Sequence, residues 1–537
     1  MSENNIRAMV GALIVLSALG TSCFAPVEAA ANDELKRAAH AAVDKRAKLV
    51  QEMVDSIFSF AEPGFQEVKT SEYITGILKS NGFTITHGVA GIPTAWTATW
   101  GTEGPLISLG SDIDALLGLS QTPGTPTLKP QVPGAPGHGE GHNSGMPVIV
   151  VAALAAKEVM QKNGIKGRLM LWPGVAEELL ATKAYYVRDG VFKGVDATIF
   201  THVSSDFSTS WGPAGNTGMV SVEYTFRGKS AHGAGAPWAG RSALDAVELM
   251  NIAWNMRREH LPLTQRSHYI ISNGGGQPNV VPDLAAVWYY FREQDFSGVR
   301  TLYEVGNTIA SAAAMATETS VSRQVLGYAA PNYGNKPLAE AAYENIKAVG
   351  MPQWSEADQQ FARAIQEANK LRVAPLAAKV SELSTPDNAT GAPRGTSDDI
   401  GDVMWTMPTI TIRYPSNVPS AIMHNAIAAM AMATPIAHKG AVAGAKATAM
   451  TVLDLMTKPE LIAAAKDYFN NVQLKDTRYD PVLTPQDKPG IHLNKDVMEK
   501  LRPQMSKYYY DPKKYGSYLE QLGIEYPNVS PAAAVGR

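Results

Sequence analysis

The sequence predicts an α/β protein: a larger domain with a mixed sheet flanked by helices, interrupted by a smaller two-layer α+β domain. Three observations carry this. Short apolar, strand-like runs alternate with amphipathic helical stretches up to His202. At Gly218 the texture changes, and strand, helix, strand, strand and helix follow within about 110 residues. The first texture then returns, strand-like over 403–413 and helical over 437–456.

Composition agrees with such a protein. A chain of 537 residues has room for two or three domains, and 45% apolar residues can build a large core. The net charge of -3, with basic residues dispersed, argues against a nucleic-acid partner.

The elements follow in order. Residues 1–30 read as a signal peptide: Arg7 gives a weak positive region, residues 8–20 are apolar but too short to span a bilayer, and Val27-Glu28-Ala29-Ala30 offers a cleavage site. Export to the periplasm or medium is expected, with no membrane anchor after cleavage. Cys23 is the only cysteine and lies in this segment, so the mature chain has no thiolate and a metal would need nitrogen and oxygen ligands. A lipoprotein reading of Cys23 ranks second, because Gly20-Thr21-Ser22 is a poor box.

Residues 33–60 carry apolar positions at helical spacing until Pro63-Gly64, and a second helix spans 71–81 before Gly82. Strands are expected at 83–86, 94–100 and 106–109. A Pro/Gly-rich loop, 121–137, leads to an apolar helix at 147–161, then a buried strand at 167–172. Glu177-Glu178 fall in the turn before the helix that contains 181–187, and His202 falls just past a strand at 195–200. In the interrupting domain, strands are expected at 219–226, 268–272 and 285–292, and helices at 242–260 and 299–317. The resulting division is 31–217 with 329–457, an insert at 218–328, and a C-terminal extension, 458–537, packed on the larger domain.

The chemistry lies in four separated places. Gly137-His138-Gly139-Glu140-Gly141-His142-Asn143, Glu177-Glu178, His202 and His424 offer carboxylate and imidazole groups at the edges of apolar runs. In open α/β sheets that edge is where ligands bind. Each has a plain alternative: an acidic pair at a helix start suits the helix dipole, and acids after a strand can form turns. Together they point to a hydrolase holding one or two metal ions. A serine hydrolase is disfavoured, since no Gly-x-Ser-x-Gly elbow is present.

These segments resemble the zinc aminoacylase and carboxypeptidase superfamily, in the branch of aminobenzoyl-glutamate and auxin-conjugate hydrolases. The matching stretches are Ser111-Asp112-Ile113-Asp114-Ala115-Leu116, the His138 loop, Ala176-Glu177-Glu178, Thr201-His202, Gly228-Lys229-Ser230-Ala231-His232, Gly240-Arg241-Ser242, Pro278-Asn279-Val280-Val281-Pro282, Ser397-Asp398-Asp399, His424 and His438-Lys439-Gly440. The resemblance implies a metallopeptidase-like catalytic domain and a lid or dimerisation insert. It implies a divalent metal cofactor, two zinc ions per chain with manganese or cobalt as alternatives. His142, Glu178, His202 and His424 would be ligands, Glu177 the general base and Asp114 a supporting acid. His232 would reach the neighbouring active site of a homodimer. Asn279 and Arg292 would contact a small-molecule amide substrate, and His438 is placed at a helix start or in the substrate pocket.

One departure stands out. Where this branch has Cys, the chain has Glu140. Either Glu140 is a ligand that bridges two ions, or the site has lost a metal or its activity. The first is preferred, because carboxylate oxygens are ordinary zinc ligands and a harder donor widens metal choice. The expected function is hydrolysis of the amide bond of an N-acyl or N-aroyl amino acid or a small peptide-like conjugate. The alternative is an impaired periplasmic homologue that only binds such a molecule.

Overall fold

The structure, a computed structural model, describes residues 25–180, 182–387 and 395–529. The apolar region of the expected signal peptide, Cys23 and Ala181 lie outside them. The first part of the chain comprises α1 (Ala25–Asp44), α2 (Ala47–Phe60), α3 (Val68–Ser80), β1 (Thr84–His87), β2 (Trp96–Trp100), β3 (Leu106–Asp112), α4 (Gly145–Asn163), β4 (Arg168–Gly174), α5 (Lys183–Arg188), β5 (Ala197–Ser204) and β6 (Gly212–Pro213). β7 (Gly218–Arg227), α6 (Ala243–Arg257), β8 (Arg266–Asn273), β9 (Leu284–Glu293), α7 (Phe296–Ala316) and β10 (Ser320–Ala329) follow. The rest is β11 (Tyr333–Gly334), α8 (Lys336–Val349), α9 (Glu356–Ala368), α10 (Ile400–Met404), β12 (Thr409–Pro415), α11 (Ala426–Ala429), α12 (Pro435–Thr457), α13 (Pro459–Tyr468), α14 (Lys495–Met505) and α15 (Tyr518–Gln521).

The main sheet has the order β1-β2-β4-β3-β5-β12. β3, β4, β5 and β12 are parallel, and β2 and β1 extend the sheet antiparallel. Positions 169–174 of β4 and 197–203 of β5 are all buried, so both faces of these strands are covered, and the polar side chains of β5, Thr198, Thr201 and His202, are buried as well. α4 is long and apolar enough to cross a membrane, yet 89% of that stretch is buried here against the sheet, α12 and α1. The parallel strands all end on one side, and the sequence places its acids and imidazoles there.

A second sheet, β10-β7-β9-β8, is antiparallel throughout, with α6 and α7 packed against it around Val220, Val222, Trp254, Phe291 and Leu302. β10 has no counterpart among the strands expected from sequence. Its first half is polar and exposed, and a register shift between Val325 and Gly327 spoils the alternation. Two other expectations are corrected. The expected strand at 403–413 is a short helix, α10, followed by β12 from Thr409. His202 lies inside β5, paired with Arg413, rather than past its end.

The C-terminal extension is partly helical and touches both cores. Val482 joins the core of the second sheet, Arg502 Nη2 lies 3.0 Å from buried Glu62 Oε1, and the Tyr518 N–H donates to Asp55 Oδ2 at 2.9 Å.

Candidate metal and active site

Three loops at the carboxyl edge of the main sheet, together with His202 on β5, bring the ligand-type side chains together. After β3, Asp114 accepts the Glu178 N–H at Oδ2, 3.0 Å, and its carbonyl faces His142 Nδ1 at 3.3 Å. Before α4, Gly141 has φ +127, a backbone state only glycine takes easily, and a Cβ there would meet the Met432 side chain at 2.7 Å. That kink separates Glu140 from His142 while aiming both at one space. After β4, Glu177-Glu178 form a tight turn between two left-handed residues, Ala176 (φ 52) and Leu180 (φ 51). His424 is left-handed as well, with φ 55. Such backbone costs about 1–3 kcal/mol per residue and clusters at functional sites.

The distances define one pocket of charge. His424 Nε2 is 3.2 Å from both Glu140 Oε2 and Glu178 Oε2. His202 Nε2 is 3.4 Å from Glu140 Oε1. His142 Nε2 is 3.9 Å from carboxylate oxygens of Glu140 and Glu177, and its Nδ1 is 3.9 Å from Glu178 Oε1. Three ligand-type groups follow among the described residues: Glu140, Glu178 and His424; Asp112, His142 and His202; and Glu177, Asp398 and Asp399. All but His424 and Asp398 are largely buried.

The electrostatics show what this crowding costs. Burial, then the charges of Glu140 and Asp114, push Glu178 up to about 8. Burial and Asp112 push Glu177 well above the usual carboxyl range. Burial also opposes the charge on Glu140, but the hydrogen bond to His424 and the nearby His202 and His142 hold it below its ordinary value. Burial, then Arg413, pushes His202 down to about 4, so its ring is neutral at physiological pH. Two groups compete for its Nδ1: the Val203 carbonyl at 2.9 Å and Arg413 Nη1 at 3.1 Å. The closer carbonyl needs a proton on Nδ1, which leaves the Nε2 lone pair free toward Glu140.

The residues fit a divalent metal. Many acids and few cations share a buried space, all donors are nitrogen or oxygen, and buried His142 Nε2 and Asp112 Oδ2 have no hydrogen-bond partner. The five sequence-predicted ligands, Glu140, His142, Glu178, His202 and His424, lie together here with Glu177 and Asp114.

The other predicted residues lie elsewhere or at the rim. Arg292 donates from Nη1 to Ser397 Oγ at 2.7 Å, beside Asp398, and stacks on Tyr290. His232 and Asn279 are exposed on the second domain, in a paired loop where Gly233 N–H donates to the Asn279 carbonyl at 2.8 Å. His438 lies at a helix start, in the first turn of α12, and its Nε2 is 2.6 Å from Asp55 Oδ1, which ties α12 to α2. His138 is buried and bonds to the Ile57 carbonyl at 3.2 Å.

Sequence reasoning missed Asp112, Lys183, Asp398, Asp399 and Arg413 as site residues. Asp112, Asp398 and Asp399 stood inside quoted motifs, a usable signal. Lys183 and Arg413 had none, because a single cation in a helix or strand reads as surface charge.

Residues 214–316 match the peptidase dimerisation domain. The chain is 31% identical over 479 residues to the second subunit of the p-aminobenzoyl-glutamate hydrolase of Escherichia coli, covering 83% of this chain and 96% of that protein. It is 27% identical to the Xaa-Arg dipeptidase of Mus musculus over 84% of this chain and 94% of the other. In fold it is similar to the crystal structure of an aminobenzoyl-glutamate utilization protein from Klebsiella pneumoniae, with TM-score 0.52 and 17% identity, covering 76% and 96% of the two chains. The α/β architecture, the buried ligand cluster and these relatives make the protein an amide-bond hydrolase that depends on a divalent metal, and the chain belongs to the p-aminobenzoyl-glutamate hydrolase family.

Proposed function

We propose that the protein hydrolyses the amide bond of N-acyl or N-aroyl amino acids or small peptide-like conjugates, with Glu177 as general base and two zinc ions held by Glu140, His142, Glu178, His202 and His424. The observation that carries this reading is the meeting of three imidazoles and two acids from three loops and strand β5 around unpartnered His142 Nε2, with a further acid, Glu177, alongside. When bound, the metal supplies Lewis acidity, which lowers the pKa of water and polarises a carbonyl. The protein does the rest. Glu140 lies between His202 and His424, as a bridging carboxylate would. Asp114 holds the Glu178 backbone, so the turn presents Glu178 to the ligand group and Glu177 beside it. Burial and Asp112 raise the proton affinity of Glu177, so its ionised carboxylate would be a stronger base than an ordinary glutamate, able to take a proton from water and pass it to the leaving nitrogen.

Arg292, half-buried and cationic beside Ser397, is the proposed contact for a free carboxylate on the leaving amino acid, with Asn279, from the same inserted domain, a second contact. We assign the second domain to a homodimer interface. Edge strand β8 exposes Ile270 and Ile271, and α6 exposes Ile252 and Met256. His232 accepts the Ala234 and Gly235 N–H groups at Nδ1, at 3.2 and 2.9 Å. Its proton therefore sits on Nε2, and the exposed ring can donate to an oxyanion in the partner's site. Export follows from the leader-like residues 1–30.

The test is elemental mass spectrometry on protein purified without chelators or metal resins, with hydrolysis of a panel of N-acyl and N-aroyl amino acids. About two ions per chain and turnover of at least one panel member are expected. A metal-free, inactive protein that zinc, manganese and cobalt all fail to activate overturns the reading.

A further inference from the structure

Behind Glu177 lies a buried charge cluster that the proposed chemistry does not use. Lys183, in the first turn of α5, is completely buried. Its Nζ is 2.6 Å from Asp112 Oδ1 and donates to Asp399 Oδ1 as well. Asp399 Oδ2 accepts the backbone N–H groups of Thr182 and Lys183 at 3.3 and 3.2 Å. The ammonium also lies over the Phe200 ring, 5.0 Å from its centre. The backbone makes room for the pair: Gly174 lies opposite Asp112 in the sheet, and a Cβ there would come within 1.8 Å of Asp112 Oδ1 and 2.9 Å of Lys183 Nζ.

Both acids border the active site. Asp112 belongs with His142 and His202 to a group whose ligand atoms lie within 4.8 Å of one another, and Asp399 belongs to another with Glu177 and Asp398. Asp112 Oδ2 is buried and unpartnered. A carboxylate this close to two imidazoles is within reach of a metal they would hold, so what positions it matters. Among the described residues, Lys183 is the one fully buried lysine, and its ammonium touches this carboxylate.

We propose that Lys183 is a positioning residue that binds Asp112 and Asp399 in one ion triad, keeping Asp112 out of the metal's ligand set and Asp399 away from Glu177. This rests on the ligand set and the base proposed above. Without the ammonium, Asp112, Asp399 and Glu177 share a buried space, with Asp398 beside it, and no lysine offsets their charge. Asp112 then swings to the metal ligands, and Asp399 presses on Glu177.

The experiment compares wild type, Lys183→Met, Asp399→Asn and the double variant Lys183→Met/Asp399→Asn, which returns the triad to its original net charge. Each is stripped of metal and titrated with zinc by calorimetry, and the reloaded enzymes are assayed at varied substrate. Lys183→Met is expected to bind zinc about tenfold more tightly, or to take up a further ion, because Asp112 is released. Its kcat should fall about 100-fold with KM within about threefold, and the double variant should recover about tenfold of that. Unchanged zinc affinity and stoichiometry in Lys183→Met overturns the proposal. So does a kcat loss that the double variant does not recover although both proteins fold. If Lys183→Met does not fold, the zinc titration of the double variant decides, because Asp112 is released there too: affinity and stoichiometry equal to wild type overturn the proposal, and binding about tenfold tighter or a further ion supports it. Glu177→Gln is the control on the underlying reading. If that variant keeps full activity, the assignment of the base has failed, and the zinc titrations still decide the role of Lys183.

Discussion

Glu177→Gln separates chemistry from metal binding. Gln is nearly isosteric, so the turn between Ala176 and Leu180 and the 3.9 Å approach to His142 Nε2 are kept, while the proton acceptor is removed. A positioned general base contributes about 10²–10⁴-fold, or about 2.7–5.5 kcal/mol of transition-state stabilisation. The variant is therefore expected to lose at least about 100-fold in kcat while retaining its ions, because the imidazole and carboxylate ligands are untouched. Stability should move the other way. Burial and Asp112 raise the folded-state pKa of Glu177 above the ordinary 4.5, so the native state holds that proton more tightly than the unfolded chain. Ionised Glu177 thus destabilises the metal-free fold increasingly as pH rises above 4.5 through the folded value. Gln removes this penalty, and metal-free Glu177→Gln should melt no lower than wild type at about pH 8. The assay pairs steady-state hydrolysis with elemental analysis and thermal unfolding. Activity within about tenfold of wild type, with ions retained, refutes the assignment of Glu177 as base. Lost ions refute the separation of Glu177 from the ligands.

Two further outcomes test residues away from the chemistry. His438→Ala removes the hydrogen bond to buried Asp55 and should cost about 2 kcal/mol of stability in denaturant unfolding, with kcat/KM unchanged; an activity loss at full stability would return His438 to the substrate pocket. Asp454 is held below the usual carboxylate range: burial opposes its charge, but Lys36, Lys458, Asn32 and Asn345 bond to it and prevail. Its stabilisation is present above the ordinary value of 3.8 and is lost as pH falls through the lower folded value. Asp454→Asn should therefore flatten the acid limb of a Tm-against-pH curve, and an unchanged limb refutes that linkage.

Part of the candidate site was legible in the sequence because four of its residues, Glu140, His142, Glu177 and Glu178, lie in short motifs with fixed local spacing. Glu140 and His142 are two residues apart around Gly141, and Glu177 and Glu178 are adjacent. Backbone geometry over such distances is set locally by glycine freedom and tight turns, so the chain alone marks them as a group. The largely apolar runs of β3, β4 and β5 were equally clear, since parallel strands covered on both faces are mostly apolar.

What the sequence could not decide is set by contacts between distant segments. β10 reads poorly because its strand character comes from pairing with β7, about 100 residues earlier, and not from its own alternation. His438 resembles a pocket residue until α2 brings Asp55 to it. Lys183 is an ordinary helix lysine in the sequence and a buried cation between two acids in the fold. Residue types, local turns and strand runs are fixed along the chain. Which charges share a low-dielectric space depends on packing, because electrostatic energies there follow distance and burial across the fold, not separation in sequence.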